Sequence, residues 1–195
     1  MDTAFTFTEY VLKRKGLSLG GKYELYSADG KELLLTIVEK TVLIPSSVTI
    51  HVYRGAEKIN ELLTLKDSDA DLFDIFDGAG GAKLGSISEA SDTLKDFLKD
   101  SWILADAIGK EVARFGEKNL AHSILRGLFA HDVGQNIVIT AADSLLGVFH
   151  QKNKLMGYEL QLNFSMDTGR LLDRRLGIAA AVFAAYHQST ETDLS

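Results

Sequence analysis

Apolar residues along this chain come in short runs that break at a turn and then resume. Tyr23-Glu24-Leu25-Tyr26 leads into Ser27-Ala28-Asp29-Gly30, Phe73-Asp74-Ile75-Phe76 into Asp77-Gly78-Ala79-Gly80-Gly81, and Trp102-Ile103-Leu104 into Ala107-Ile108-Gly109-Lys110. Each is the grammar of a β-hairpin, with glycine supplying the backbone freedom that a tight reversal needs. Weaker copies run from Val48 to Tyr53 through Gly55, and from Ile137 to Thr140 through Asp143-Ser144. Their spacing is irregular, so the pattern predicts a meander and not a solenoid.

The clearest strand is Tyr158 to Phe164. Tyr158, Leu160, Leu162 and Phe164 fall on one face and Glu159, Gln161 and Asn163 on the other, a period of two that means one buried and one wet face. Seventeen glycines against a single proline, Pro45 before the strand near Val48, suit a chain of strands and turns that surrenders few backbone donors. One stretch departs from this rhythm: in Ser88 to Lys99, Leu94, Phe97 and Leu98 have helical spacing, which predicts a short helix or a long connector between hairpins.

The C-terminal segment has a different character. From Leu171 to Tyr186 the residues are mostly good helix formers, with Asp167 or Thr168 placed to cap the start. Past the arginines it is apolar on every side, and such a helix must be enclosed by protein or lipid. Only 15 uncharged residues separate Arg175 from Glu191, and the last of them are polar. A membrane span wants roughly 20 apolar residues, so Leu176 to Tyr186 is expected inside the protein. Alanines on both sides of Val182 and Phe183 keep it slim enough to thread a closed or nearly closed barrel. This segmentation gives about ten to twelve strands and one helix, a mainly β fold of the α+β kind.

Composition narrows the function classes. A formal net charge of −6 disfavours a generic nucleic-acid binder, so no nucleic-acid partner is expected. With no cysteine there is no disulfide framework, thiol nucleophile or thiolate metal site, which fits a cytoplasmic location, free or peripheral at a membrane. The opening residues carry no apolar run of the kind a secretory signal has.

The order of these pieces resembles the tubby C-terminal-like superfamily, which includes tubby proteins, phospholipid scramblases and LURP-one-related proteins. The matching pieces are Lys22-Tyr23-Glu24-Leu25 through Asp29-Gly30, the hairpins at Phe73 and Trp102, and Tyr158 to Phe164 running into Met166-Asp167 and the apolar helix. The resemblance implies a 12-stranded barrel of hairpins around a central C-terminal helix, here one domain over residues 1–187 followed by a flexible polar tail, 188–195. It also implies phosphoinositide binding and transcription-linked roles, as in tubby proteins, or lipid scrambling, as in scramblases, while the tasks of LURP-one-related proteins are largely unknown. The cysteine-rich segment and proline-rich N-terminal region of scramblases are missing, which speaks against scrambling.

Two basic groups are candidate anion or phosphate sites. Lys13-Arg14-Lys15, joined by Lys22, occupies an early position where tubby proteins carry cations for inositol phosphates, and clustered cations are what a phosphate needs. The bland alternative is an edge strand protected by charge. Arg170, Arg174 and Arg175 fall at the start of the terminal helix, where cations oppose the helix dipole and require compensation. Arg170 and Arg174 are four apart and on a helix would share a face, making a site at the barrel mouth; pairing with acidic loops of the same chain is the alternative.

Other motifs carry little chemistry. Lys66 to Asp71 imitates a calcium loop but has Leu72 where glycine is required, Asn163-Phe164-Ser165 is an accidental sequon, and Gly78 to Gly81 lacks the context of a phosphate loop. His51, His122, His131, His150 and His187 are dispersed, so no catalytic residue, metal or cofactor is assigned. The reading is a non-enzymatic binding or scaffold domain for an anionic lipid headgroup or a protein partner. Its alternatives are an enzyme with a pocket built from groups such as His131, Asp132 and Arg170, or a membrane-associated scramblase-like protein.

Overall fold

A computed structural model describes residues 2–15, 21–43, 46–69, 72–78, 81–90, 99–117, 136–142, 144–154 and 157–192. They form a 3-10 turn (Thr3–Phe5), twelve strands and one long helix. The strands are β1 (Glu9–Lys15), β2 (Lys22–Ser27), β3 (Leu33–Leu43), β4 (Ser46–Arg54), β5 (Glu61–Asp69), β6 (Leu72–Asp77), β7 (Lys83–Glu89), β8 (Lys99–Asp106), β9 (Glu111–Glu117), β10 (Asn136–Ala141), β11 (Ser144–Lys154) and β12 (Gly157–Asn163), and the helix is α1 (Arg174–Thr192). Every strand runs antiparallel to its sequence neighbours, and β1 closes the barrel by pairing with β12, Leu12 opposite Leu160. All five hairpins read from the sequence are present.

Closure fixes two ends. The turns β2–β3, β4–β5, β6–β7, β8–β9 and β10–β11, the approach to β1 and the exit from β12 all lie at one end, where α1 also begins. The helix then runs back through the barrel. Ile178 to Val182 are fully buried, and strands on several sides touch the helix. The Tyr23 hydroxyl donates to the carbonyl of Ala185 (3.3 Å), Phe73 and Trp102 meet Phe183 edge-on, and Gly85 leaves room for Leu176. The alanines are what let the helix fit.

Alternation on β12 holds with one refinement: Leu160, Leu162 and Phe164 are buried inward, yet outward-facing Glu159 is also buried. The helix differs more from expectation. It begins at Arg174, not near Leu171, because Asp167 accepts the amides of Leu171 (2.7 Å) and Leu172 (3.2 Å) in a preceding turn. Arg170 there is left-handed (φ 50°), so it lies outside the helix and shares no helical face with Arg174. Asp173 is the N-cap, its carboxylate accepting from the Arg175 amide at 2.9 Å. At its other end α1 continues through Thr192, so the backbone is helical well into the stretch assigned to a polar tail.

Ser88 and Glu89 close β7 and Lys99 opens β8; residues 91–98, with the helical spacing of Leu94, Phe97 and Leu98, lie outside the described residues, as does Pro45. Lys66 to Asp69 of the calcium-like run complete β5. The barrel wall is apolar inside; on its outer face lie Lys13, Glu24, Lys66, Asp74, Arg114 and Glu159, together with a small buried apolar cluster of Val138 and Val148. Among the described residues no helix is long and apolar enough to cross a bilayer.

Candidate functional site

The first basic group splits on folding. Lys13 and Lys15 face outward while Arg14, one residue out of phase, faces the other side of β1. Both outward lysines already have partners: Lys15 Nζ is 3.1 Å and Lys22 Nζ 3.0 Å from the Glu24 carboxylate, and Lys13 Nζ is 4.0 Å from Glu159. Both also sit over the Tyr26 ring, 5.0 and 5.7 Å from its centroid. Across β11, β12, β1 and β2 the facing residues are Lys152, Glu159, Lys13 and Glu24, a row of alternating charge. Burial pushes the Glu24 carboxyl up, but hydrogen bonds from Tyr26, Lys22 and Lys15 outweigh it and hold the group at about 2. This is a ladder of cross-strand ion pairs at the barrel seam, with Glu24 shared between Lys15 and Lys22.

Arg170 and Arg174 of the second basic group line an open pocket of about 710 Å³ where α1 begins, a volume in the range of small-molecule sites. Its walls come from the approach to β1 (Phe5, Thr6, Thr8) and the exit from β12 (Ser165, Asp167, Thr168, Arg170 to Arg174). Arg174 is only 8% exposed and its guanidinium carbon sits over the Phe164 ring, 4.1 Å from the centroid. Phe164 is held in place by the rings of Tyr10 and Phe149 and by two glycines. A Cβ on Gly147 would come within 2.9 Å of its ring, and one on Gly177 within 2.8 Å.

The carboxylates around this pocket are unevenly shared among the arginines. Asp173 is spoken for: three guanidinium contacts tie it to Arg175, which also reaches Asp77 at 3.1 Å. Burial raises the Asp173 carboxyl, yet Arg175 keeps it below the ordinary carboxylate range. Asp167 stands 3.8 Å from Arg174 Nη2, and both of its oxygens already accept backbone amides. Among the described residues Arg174 Nη1 has no hydrogen-bond partner. Burial pulls the Arg174 guanidinium below its ordinary value and pushes Tyr10 far above its own, the second effect reduced by the positive charge of Arg174. Arg170 is exposed and forms no ion pair with any described residue.

Elsewhere the geometry offers less. A pocket of about 40 Å³ at the opposite end, between Trp102, Phe115, Phe183 and His187, is nearly filled by rings that pack on one another. His51 Nδ1 lies 2.6 Å from Glu61, but the nearby Thr64 hydroxyl also turns to Glu61, so no nucleophile meets this histidine. Among the described residues no three metal-ligating side chains converge. His122, His131 and Asp132 lie outside the described residues. Of the sequence candidates, the structure brings Arg170 and Arg174 to one pocket and gathers Lys13, Lys15 and Lys22 on a separate face. Sequence reading missed Thr6, Thr8 and Asp167 as pocket walls; they are unremarkable in sequence, and only closure of β1 on β12 assembles them.

No family model, curated protein or solved structure matches the chain.

Proposed function

We propose that this chain is a non-enzymatic binding domain of the tubby-like kind that takes a phosphate-bearing anion in the pocket where α1 begins. One observation carries the reading: Arg174 is a nearly enclosed cation whose Nη1 has no hydrogen-bond partner among the described residues and whose ion-pair contact, to Asp167, stands at 3.8 Å with that carboxylate's oxygens otherwise engaged. A buried charge without full compensation is costly, and an arriving anion lowers that cost. The planar guanidinium suits the oxygens of a phosphate, and the exposed Arg170 adds a second cation at the entrance. The Thr8 and Thr168 hydroxyls in the same lining supply neutral donors around them. Lys13, Lys15 and Lys22, each within ion-pair distance of Glu24 or Glu159, are assigned to the seam.

Titration calorimetry with a soluble inositol phosphate tests the assignment. Arg170→Ala and Arg174→Lys are each expected to weaken binding about tenfold, the scale of one charge-assisted hydrogen bond. The combined variant Lys13→Ala, Arg14→Ala, Lys15→Ala is expected to bind as the unaltered chain does. Loss of binding in that variant, with the arginine variants unchanged, would move the site to the seam.

A further inference from the structure

The small recess at the other end of the barrel has a chemistry of its own. Trp102 on β8, Phe115 on β9 and Phe183 on α1 meet there: the Trp102 ring centroid is 5.2 Å from that of Phe183 and 6.1 Å from that of Phe115, and the two phenylalanines are 6.2 Å apart. All three are buried, and so are the small residues Gly116 and Ala184 that leave space between them. Half-buried Glu117 completes the opening. The rings leave a recess of about 40 Å³. Since one water takes up about 10–15 Å³ of such space, there is room for roughly three, close to the bulk of one trimethylammonium group.

The charge around this recess is negative. Glu89 lies directly opposite Trp102 across the β7–β8 pair, so both side chains point into the same mouth, and Glu117 ends β9 beside the rings. Farther round the same lip are Glu39 and Asp67. Burial, and then the charges of these two, push the Tyr186 hydroxyl on α1 above its ordinary value. Against the four carboxylates stands Arg14, opposite Tyr23 on β2. The helix adds to the same sign: α1 ends here with no basic residue in its last turn, so nothing in the helix offsets the negative end of its dipole.

From this we infer that the recess takes a small quaternary ammonium ion of the choline type. A cation within about 6 Å of an aromatic centroid is attracted by the negative face of the ring, most strongly by tryptophan. The three centroids are close enough together for one bound group to lie within that reach of all of them. The buried walls are ring and methyl, which suits a methylated cation better than a primary ammonium, whose three N–H groups need acceptors. Glu89 and Glu117 select on the rest of the ligand as well: a neutral hydroxyl is accepted where the carboxylate of a betaine meets like charge. The recess shares no residue with the anion pocket, so the inference stands apart from the proposed function.

Trp102 is the single tryptophan of the chain and forms a wall of the recess, so its own fluorescence reports occupancy. The full chain is titrated with choline and with tetramethylammonium at constant ionic strength. Both should change the emission saturably, while sodium at the same concentration should not. Betaine and dimethylbutanol, the uncharged carbon isostere of choline, are expected to bind at least about tenfold more weakly. Ala184→Val fills the recess and should weaken choline binding by at least about tenfold, and Glu117→Gln, which keeps the shape and removes a charge, by about two- to fivefold. Thermal melts establish that each variant is folded; the comparison of choline with its isostere uses the unaltered chain and needs no variant. The assignment is overturned if choline gives no saturable change, if the isostere binds as tightly, or if a folded Ala184→Val chain binds choline as before. Tighter binding of a trimethyllysine peptide than of choline would also overturn the small-ion assignment.

Discussion

Glu24 shows how a single outward-facing carboxylate decides the meaning of its neighbours. It lies on β2 opposite Lys13, between Lys15 and Lys22, and Tyr26 donates to it from two residues along. Its folded value of about 2 is below the ordinary 4.5, so its contribution to stability is complete above pH 4.5 and is lost as pH falls through 2. Urea unfolding at pH 5, 4, 3 and 2 should therefore show part of the acid destabilisation disappearing in Glu24→Gln. At neutral pH the same variant should be less stable by about 1–3 kcal/mol, because two lysines and a tyrosine lose a charged acceptor. An unchanged acid profile in the variant would remove Glu24 from this role. The basic run Lys13 to Lys15 is visible in the sequence, but its partners are not. Glu159 is far along the chain, and no local pattern announces that β12 closes on β1 in the register that places it beside Lys13. The same long-range pairing brings Thr8 next to Phe164 and thereby builds the pocket wall.

At the scale of the element, hairpins and helix were legible for different reasons. Turn chemistry is local: Asp29-Gly30 and Ile108-Gly109 sit at φ values of 72° and 83° at their glycines, as their sequences require. Helix content is local as well, since alanines and leucines favour it and the segment past Arg175 offers no turn. The start of α1 is not local in that sense. Asp167, Thr168 and Asp173 are all competent caps by residue type, and the tertiary position of Asp167, buried beneath the turn it closes, selects Asp173 for the helix itself. Replacing Asp173 with Ala should cost about 1–2 kcal/mol, the scale of a lost N-cap, and should also release Arg175 from its shortest contact at 2.6 Å. Asp173→Asn separates the two effects. Asparagine can still cap, so a variant nearly as stable as the original assigns the loss to capping, while a loss equal to that of alanine assigns it to the ion pair. Circular dichroism melts of the three proteins read the difference.

For the whole molecule the decisive fact is that the most apolar segment of the chain is also the most enclosed. Ile178 to Val182 are wholly buried within strands on every side, and a barrel of this size deprived of α1 would have no core. Insertion of α1 into a bilayer would thus require the barrel to open and expose inward faces such as Leu12, Leu25, Leu65 and Leu160. Amide hydrogen exchange tests this. In lipid-free buffer the amides of Ile178 to Ala185 should be among the slowest of the described residues, exchanging only by global unfolding. On adding vesicles they should remain equally protected. Loss of protection along α1 on vesicles would mean helix insertion. Rapid exchange there without lipid would deny that the helix is core at all.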